Sequence, residues 1–158
     1  MIKNKTKGVS LVEIVVGAAI ATLILSGLIA TYNFYFKTAL ANLQHVQVAF
    51  LTEEGGEALR FLRDTDWSNL SSLTTGTTYY LTFYNGNWQA TTSNIFVDGI
   101  FERKFILYGV YRDANDDIAS SGTLDSNTKK AIITVAWSRG LATTSKSLEL
   151  YLTNLFND

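Results

Sequence analysis

The chain has 158 residues with no Pro, no Cys and a single His, and thirteen basic against fourteen acidic side chains leave it at −1. Absent Cys excludes a disulfide framework, a thiol nucleophile and cysteine-ligated zinc or iron–sulfur centres. One His excludes sites that need two or three imidazoles, and the balanced charge leaves no overall basic footprint for nucleic acid.

The hydrophobic content is unevenly spread. Between Gly8 and Phe36, 20 of 29 residues are hydrophobic and Glu13 is the only charged side chain. As a helix at about 1.5 Å per residue the stretch spans roughly 43 Å, more than the ~30 Å hydrocarbon core of a bilayer. Lys3, Lys5 and Lys7 precede it and Lys37 follows it, a bias that predicts a cytoplasmic N-terminus. A cleaved secretory signal fits poorly, because its apolar core is shorter and Ala19-Ile20-Ala21 falls mid-segment instead of at its end. A plain signal anchor explains the length but leaves Glu13 without a role. A carboxylate costs roughly 2.5–3.5 kcal/mol at the centre of a membrane helix and less near its end, where it reaches the interface.

The run Gly8-Val9-Ser10-Leu11-Val12-Glu13, behind a short basic leader and ahead of an apolar helix, resembles the processing site of the type IV pilin-like family. That family comprises type IV pilins, secretion pseudopilins and competence pseudopilins. The resemblance implies cleavage by prepilin peptidase between Gly8 and Val9 and methylation of the new Val9 amine. It also implies that Glu13 pairs with the N-terminus of a neighbouring subunit and sets the register of assembly. An unpaired charge in lipid or in a filament core is strongly disfavoured, which supplies the physical motive. Implied partners are prepilin peptidase, other pilin or pseudopilin subunits, an inner-membrane assembly platform and, before assembly, membrane lipid. The implied location is the bacterial inner membrane, single-pass, and then an extracytoplasmic filament. Cleavage would remove three lysines, leaving 10 basic against 14 acidic residues and a mature charge of −4. Val9 stands where Phe is commonest in the family. Many members also carry a Pro mid-helix, where this chain has Ala30 after Ser26-Gly27, so a straighter helix is expected.

The predicted organisation is a leader over 1–8, a transmembrane or filament-core helix over 9–36, an amphipathic continuation over 37–66 and an antiparallel sheet over 67–158. Ala39, Leu43, Val46 and Phe50 recur at helical spacing and predict an amphipathic stripe on the second segment, with Ala58, Phe61 and Leu62 extending an apolar face after a break. Gly55-Gly56 costs roughly 2 kcal/mol of helix propensity relative to Ala-Ala and predicts a kink or loosening. The block from Ala49 to Trp67 resembles a segment of some minor pilins, with Gly56 where a large aliphatic is usual. His45, on this helix, reads as a surface or packing residue.

Ser68 to Thr77 reads as a loop, and its Asn69-Leu70-Ser71 matches a glycosylation sequon. Asn85-Gly86 between Thr78–Tyr84 and Trp88–Thr91 is a type I′ hairpin signal. Further strands are predicted over Ile100–Arg112, with Phe101, Phe105, Leu107 and Tyr111 on one face, and over Ala131–Trp137, with a last strand carrying Leu148, Leu150 and Leu152. The apolar face of this sheet needs cover, and the second half of the long helix is the candidate. The fold class is α+β, a long N-terminal helix packed on a C-terminal antiparallel sheet.

Asp113, Asn115 and Asp117 have the D-x-N-x-D spacing that gathers oxygen ligands for calcium. The EF-hand pattern then fails at Ile118 and Leu124, and the competing reading is a turn in which Asp and Asn favour the bend. No nucleophile elbow, P-loop or dinucleotide fingerprint is present, so no catalytic residue and no other cofactor is expected. Tyr79, Tyr80, Tyr84 and Trp88 read either as a binding surface or as cross-strand packing. Arg103-Lys104 and Lys129-Lys130 are two short basic pairs, not a track for DNA. The expected function is that of a minor pilin or pseudopilin, with no enzymatic activity. The rival is a membrane-anchored extracellular binding domain that does not polymerise.

Overall fold

The computed structural model describes Gly8, residues 10–139 and residues 142–155. Helix α1 spans Leu11–Thr65 and α2 is a single turn, Ser68–Ser71. Seven strands follow: β1 Thr78–Tyr84, β2 Asn87–Thr91, β3 Phe96–Val97, β4 Phe101–Arg112, β5 Ile118–Ala119, β6 Thr123–Arg139 and β7 Ala142–Thr153. They form one antiparallel sheet in the order β2-β1-β4-β6-β7, with β3 and β5 paired to β4. The fold is the α+β arrangement expected, a long N-terminal helix packed on an antiparallel sheet.

The chain divides into two compact units at Gln44/His45. In the first, α1 carries the apolar residues from Leu11 to Phe36, all exposed. The Thr and Ser hydroxyls within that stretch are satisfied by the helix itself: Thr22 donates to the Ala18 carbonyl, Ser26 to Thr22 at 2.7 Å and Thr31 to Gly27 at 2.8 Å. The helix is long and apolar enough to cross a membrane. A hydroxyl bonded one turn back leaves no unsatisfied polar group for lipid to meet.

In the second unit, the C-terminal part of α1 covers one face of the sheet. Strand alternation points Phe101, Phe105 and Leu107 of β4 and Ala131, Ile133 and Val135 of β6 at the helix, all fully buried. Val48, Ala58, Leu59 and Leu62 meet them from α1. At ~1.5–3 kcal/mol for each large side chain removed from water, this layer is the main stabilising term of the unit.

Three expectations about this packing are corrected. Leu43, Val46 and Phe50 are exposed, Phe50 by 71%, and Phe61 is also exposed. The buried stripe is Val48, Thr52, Gly55, Gly56, Ala58, Leu59 and Leu62, rich in small residues that hydropathy ranks low. Gly55-Gly56 produces no break, since α1 is uninterrupted there. A Cβ on Gly55 would lie 3.0 Å from Ile133 Cγ2, so the glycine is what lets helix and sheet approach so closely. Third, Tyr111 does not share the face of Phe101, Phe105 and Leu107. The β4–β6 register slips between Gly109 and Val110, and past this bulge Val110 turns inward and is buried while Tyr111 is exposed.

Elsewhere the elements fall close to expectation. The β1–β2 hairpin turns at Asn85 (φ 50°) and Gly86 (φ 78°), as a type I′ turn requires. The expected loop after α1 contains α2, whose Leu70 is fully buried, and β6 begins eight residues before the predicted Ala131.

Candidate functional site

The expected processing and assembly residues lie at the start of α1. Gly8 is exposed, with no atom of the described residues within 4 Å of where a Cβ would sit. Val9 and the leader lysines Lys3, Lys5 and Lys7 lie outside the described residues. The Ser10 carbonyl accepts the first helical bond, from the Ile14 amide at 3.2 Å, so Ser10 occupies the N-cap position. Glu13 is therefore the third helical residue, the acidic group of the first turn, and is exposed. Ser-x-x-Glu at these positions is the pattern of a capping box, a signal that the sequence reading passed over. The carboxylate also faces the positive end of the helix dipole. Glu13 is thus presented, exposed, on the first turn of α1.

The 113–117 segment is a tight turn between β4 and β5. Asp113 Oδ1 accepts from the amides of Asn115 at 2.8 Å and Asp117 at 3.0 Å, and the Asp113 amide donates to the Asp117 carbonyl at 2.9 Å. This is an Asx turn, with Asp116 in the left-handed region at φ 68°. Arg112 lies across it, donating to the Asp116 carbonyl at 2.8 Å and to Asp125 Oδ2 at 2.7 Å. Among the described residues no group of three or more Asp, Glu, His or Cys side chains is placed to hold a metal ion. The Asp113 carboxylate is engaged in this turn, which Asn115 and Asp117 enter through their backbone amides.

The Arg112–Asp125 bond has a consequence for pH. The guanidinium hydrogen bond, assisted by bonds from Thr128 and the Asn127 amide, holds the Asp125 carboxyl below its usual range. A depressed folded-state value contributes stability that is complete above the unfolded value of ~3.9 and lost as pH falls through the folded one. Asp125→Asn is therefore expected to lower the urea midpoint at pH 7, with the difference from wild type narrowing progressively below about pH 4. A difference independent of pH would remove this linkage.

The four aromatics do not form one surface. Tyr79 is buried, stacked on Phe105 at 5.7 Å, while Tyr84 is exposed at the hairpin. Trp88 lies against Phe83 at 5.3 Å and beneath the Arg103 guanidinium at 5.1 Å. His45 packs edge-on against Trp137 at 5.3 Å, a packing role. Asn69 of the sequon donates its side-chain amide to the Leu62 carbonyl at 3.1 Å. Three of the four basic residues weighed as a DNA track are paired with carboxylates: Arg103 with Glu54, Lys104 with Glu102 and Lys130 with Glu149. No protein-family model matches the chain, and no curated protein or solved structure matches it.

Arg103 is the residue that sequence reasoning missed. It occupies an inward position of β4 between Phe101 and Phe105 and is only 4% exposed. One guanidinium nitrogen donates to Glu54 of α1, while Nε is buried without a hydrogen-bond partner among the described residues. The alternation of β4 places it inward, but in sequence it is masked as half of an exposed-looking Arg-Lys pair.

Proposed function

We propose that this protein is a structural subunit, a minor pilin or pseudopilin, of a type IV pilus or type II secretion-like filament. The observation that carries the reading is the sequence run from Gly8 to Glu13, whose Leu11, Val12 and Glu13 open a long, exposed, apolar helix with a continuation that packs on an antiparallel sheet. Prepilin peptidase would cut after Gly8 in the cytoplasmic membrane, exposing the Val9 amine for methylation. Once the helix leaves lipid for a filament core, the Val9 amine of one subunit and Glu13 of its neighbour neutralise one another, which a low-dielectric surrounding strongly favours. The role is assembly and not catalysis, and requires no cofactor. Partners are the peptidase, other subunits of the filament and the inner-membrane assembly platform.

Glu13→Ala tests the pairing. It removes a charge that lipid disfavours, so membrane insertion is expected to persist while incorporation into filaments falls sharply, measured as the subunit content of sheared filaments. Normal incorporation would contradict the pairing. A membrane-anchored binding domain that never polymerises predicts no filament-borne subunit in either case.

A further inference from the structure

Beyond the assembly role, the first unit carries enough detail to assign how α1 sits in lipid. We infer that the ring Tyr32–Lys37 is the headgroup-facing girdle at one end of the span and that Glu13 sits in the opposite headgroup layer, leaving Thr38–Gln44 outside the bilayer. This deepens the membrane part of the reading above and rests on it.

Two independent features converge on this register. The first is length. Ile14 to Thr31 holds no charged side chain, and its Thr and Ser hydroxyls bond back into the helix. From Glu13 to Tyr32 the rise is about 28 Å and to Tyr35 about 33 Å at 1.5 Å per residue, bracketing a ~30 Å hydrocarbon core. Seating either end deeper would drag Glu13 or Lys37 into hydrocarbon.

The second feature is circumference. Tyr32, Phe34, Tyr35 and Phe36 are all exposed, Tyr32 stacking on Phe36 at 6.2 Å and Phe34 meeting Tyr35 edge-on at 5.9 Å. At about 100° per residue, Tyr32, Phe36, Phe34 and Tyr35 point to about 0°, 40°, 200° and 300° around the helix. Asn33 and Lys37 fill the remaining sector at about 100° and 140°. Tyr32, Asn33, Tyr35 and Lys37 set polar tips on several sides of the helix, with Phe34 and Phe36 between them, which matches a planar interface, where Tyr and Lys are favoured. The occupant is therefore the headgroup layer of a lipid bilayer.

The chain has no Cys, so single-cysteine variants of the full-length protein report position without background. The probe is a water-soluble maleimide, applied to protein in phosphatidylethanolamine–phosphatidylglycerol nanodiscs, with both faces open. Ile24→Cys and Leu28→Cys are expected to react at least ~10-fold more slowly than Asn42→Cys, since only an exposed thiolate reacts. Ser10→Cys and Lys37→Cys are expected to react close to the Asn42→Cys rate. Replacing the four aromatics with Leu in the Lys37→Cys background should slow its labelling severalfold, as the longer apolar run slides into the core. A protected window that reaches Asn42 or omits Leu28, or a Lys37→Cys rate untouched by the Leu replacements, overturns the register and leaves the membrane span standing. Labelling at equal rates throughout overturns both.

Discussion

Glu54→Ala is expected to destabilise the sheet-bearing unit by about 3 kcal/mol, the lower end of the range for orphaning a buried charge. The lower end applies because the Glu54 side chain is half-exposed, whereas that of Arg103 is nearly fully enclosed. Among the described residues Arg103 has one carboxylate partner, and its remaining support is the Trp88 ring 5.1 Å below, worth about 0.5–2 kcal/mol. Removing Glu54 therefore leaves a desolvated guanidinium with a buried Nε already lacking a partner. Arg103→Met removes charge and desolvation cost together while keeping an apolar stem against Gly55 and Trp88, so it should cost less than Glu54→Ala. The double variant should regain much of the loss. Urea midpoints of the full chain in detergent, followed by tryptophan fluorescence, give the four corners of this cycle. A double variant as unstable as the sum of the singles would show that the pair carries no coupling.

The second large effect lies one residue along the helix. Gly55→Leu is expected to cost about 3 kcal/mol, because a Cβ there already meets Ile133 Cγ2 at 3.0 Å and Arg103 Cδ at 3.4 Å, and overpacking a filled core forces side chains from their rotamers. Gly56→Ala should act in the opposite direction. Its Cβ would meet Leu148 Cδ2 at 3.5 Å, an ordinary contact, while the substitution recovers about 1 kcal/mol of helix propensity. Adjacent glycines with effects of opposite sign in the same unfolding assay would distinguish close packing from simple helix weakness. If both substitutions stabilise, the pair is a propensity defect and the contact with Ile133 is unimportant.

These two residues also explain what the sequence could and could not disclose. Helix α1, the Asn85-Gly86 hairpin and the inward set of Ala131, Ile133, Val135 and Trp137 follow from periodicity and turn chemistry that act locally. The choice of helix face did not follow, because α1 carries two candidate stripes. The more hydrophobic one, through Leu43, Val46 and Phe50, stays exposed, and the one chosen relies on Thr52, Gly55, Gly56 and Ala58, whose value is smallness. The inversion at Tyr111 depends on a bulge against a partner strand, a non-local event that alternation within one strand does not encode. Arg103 escaped for the same reason: its role requires Glu54, 49 positions earlier.

The candidate site shows the reverse balance. Gly8, Ser10 and Glu13 are legible as a motif, and their placement at the first turn of α1 adds the dipole and capping logic. Their proposed chemistry, however, involves a peptidase and a second subunit, so it is intermolecular by nature. Leu43, Val46 and Phe50 are likewise apolar and exposed among the described residues.

The central claim is that residues 1–8 are a leader read by prepilin peptidase. Intact-mass and N-terminal analysis of the full chain, co-expressed with a prepilin peptidase that is processing an authentic prepilin in the same cells, tests it most directly. The account predicts loss of Met1 to Gly8 and a methylated N-terminus at Val9, both abolished by the Gly8→Leu variant. A chain that keeps its leader while the authentic prepilin is cut would contradict it.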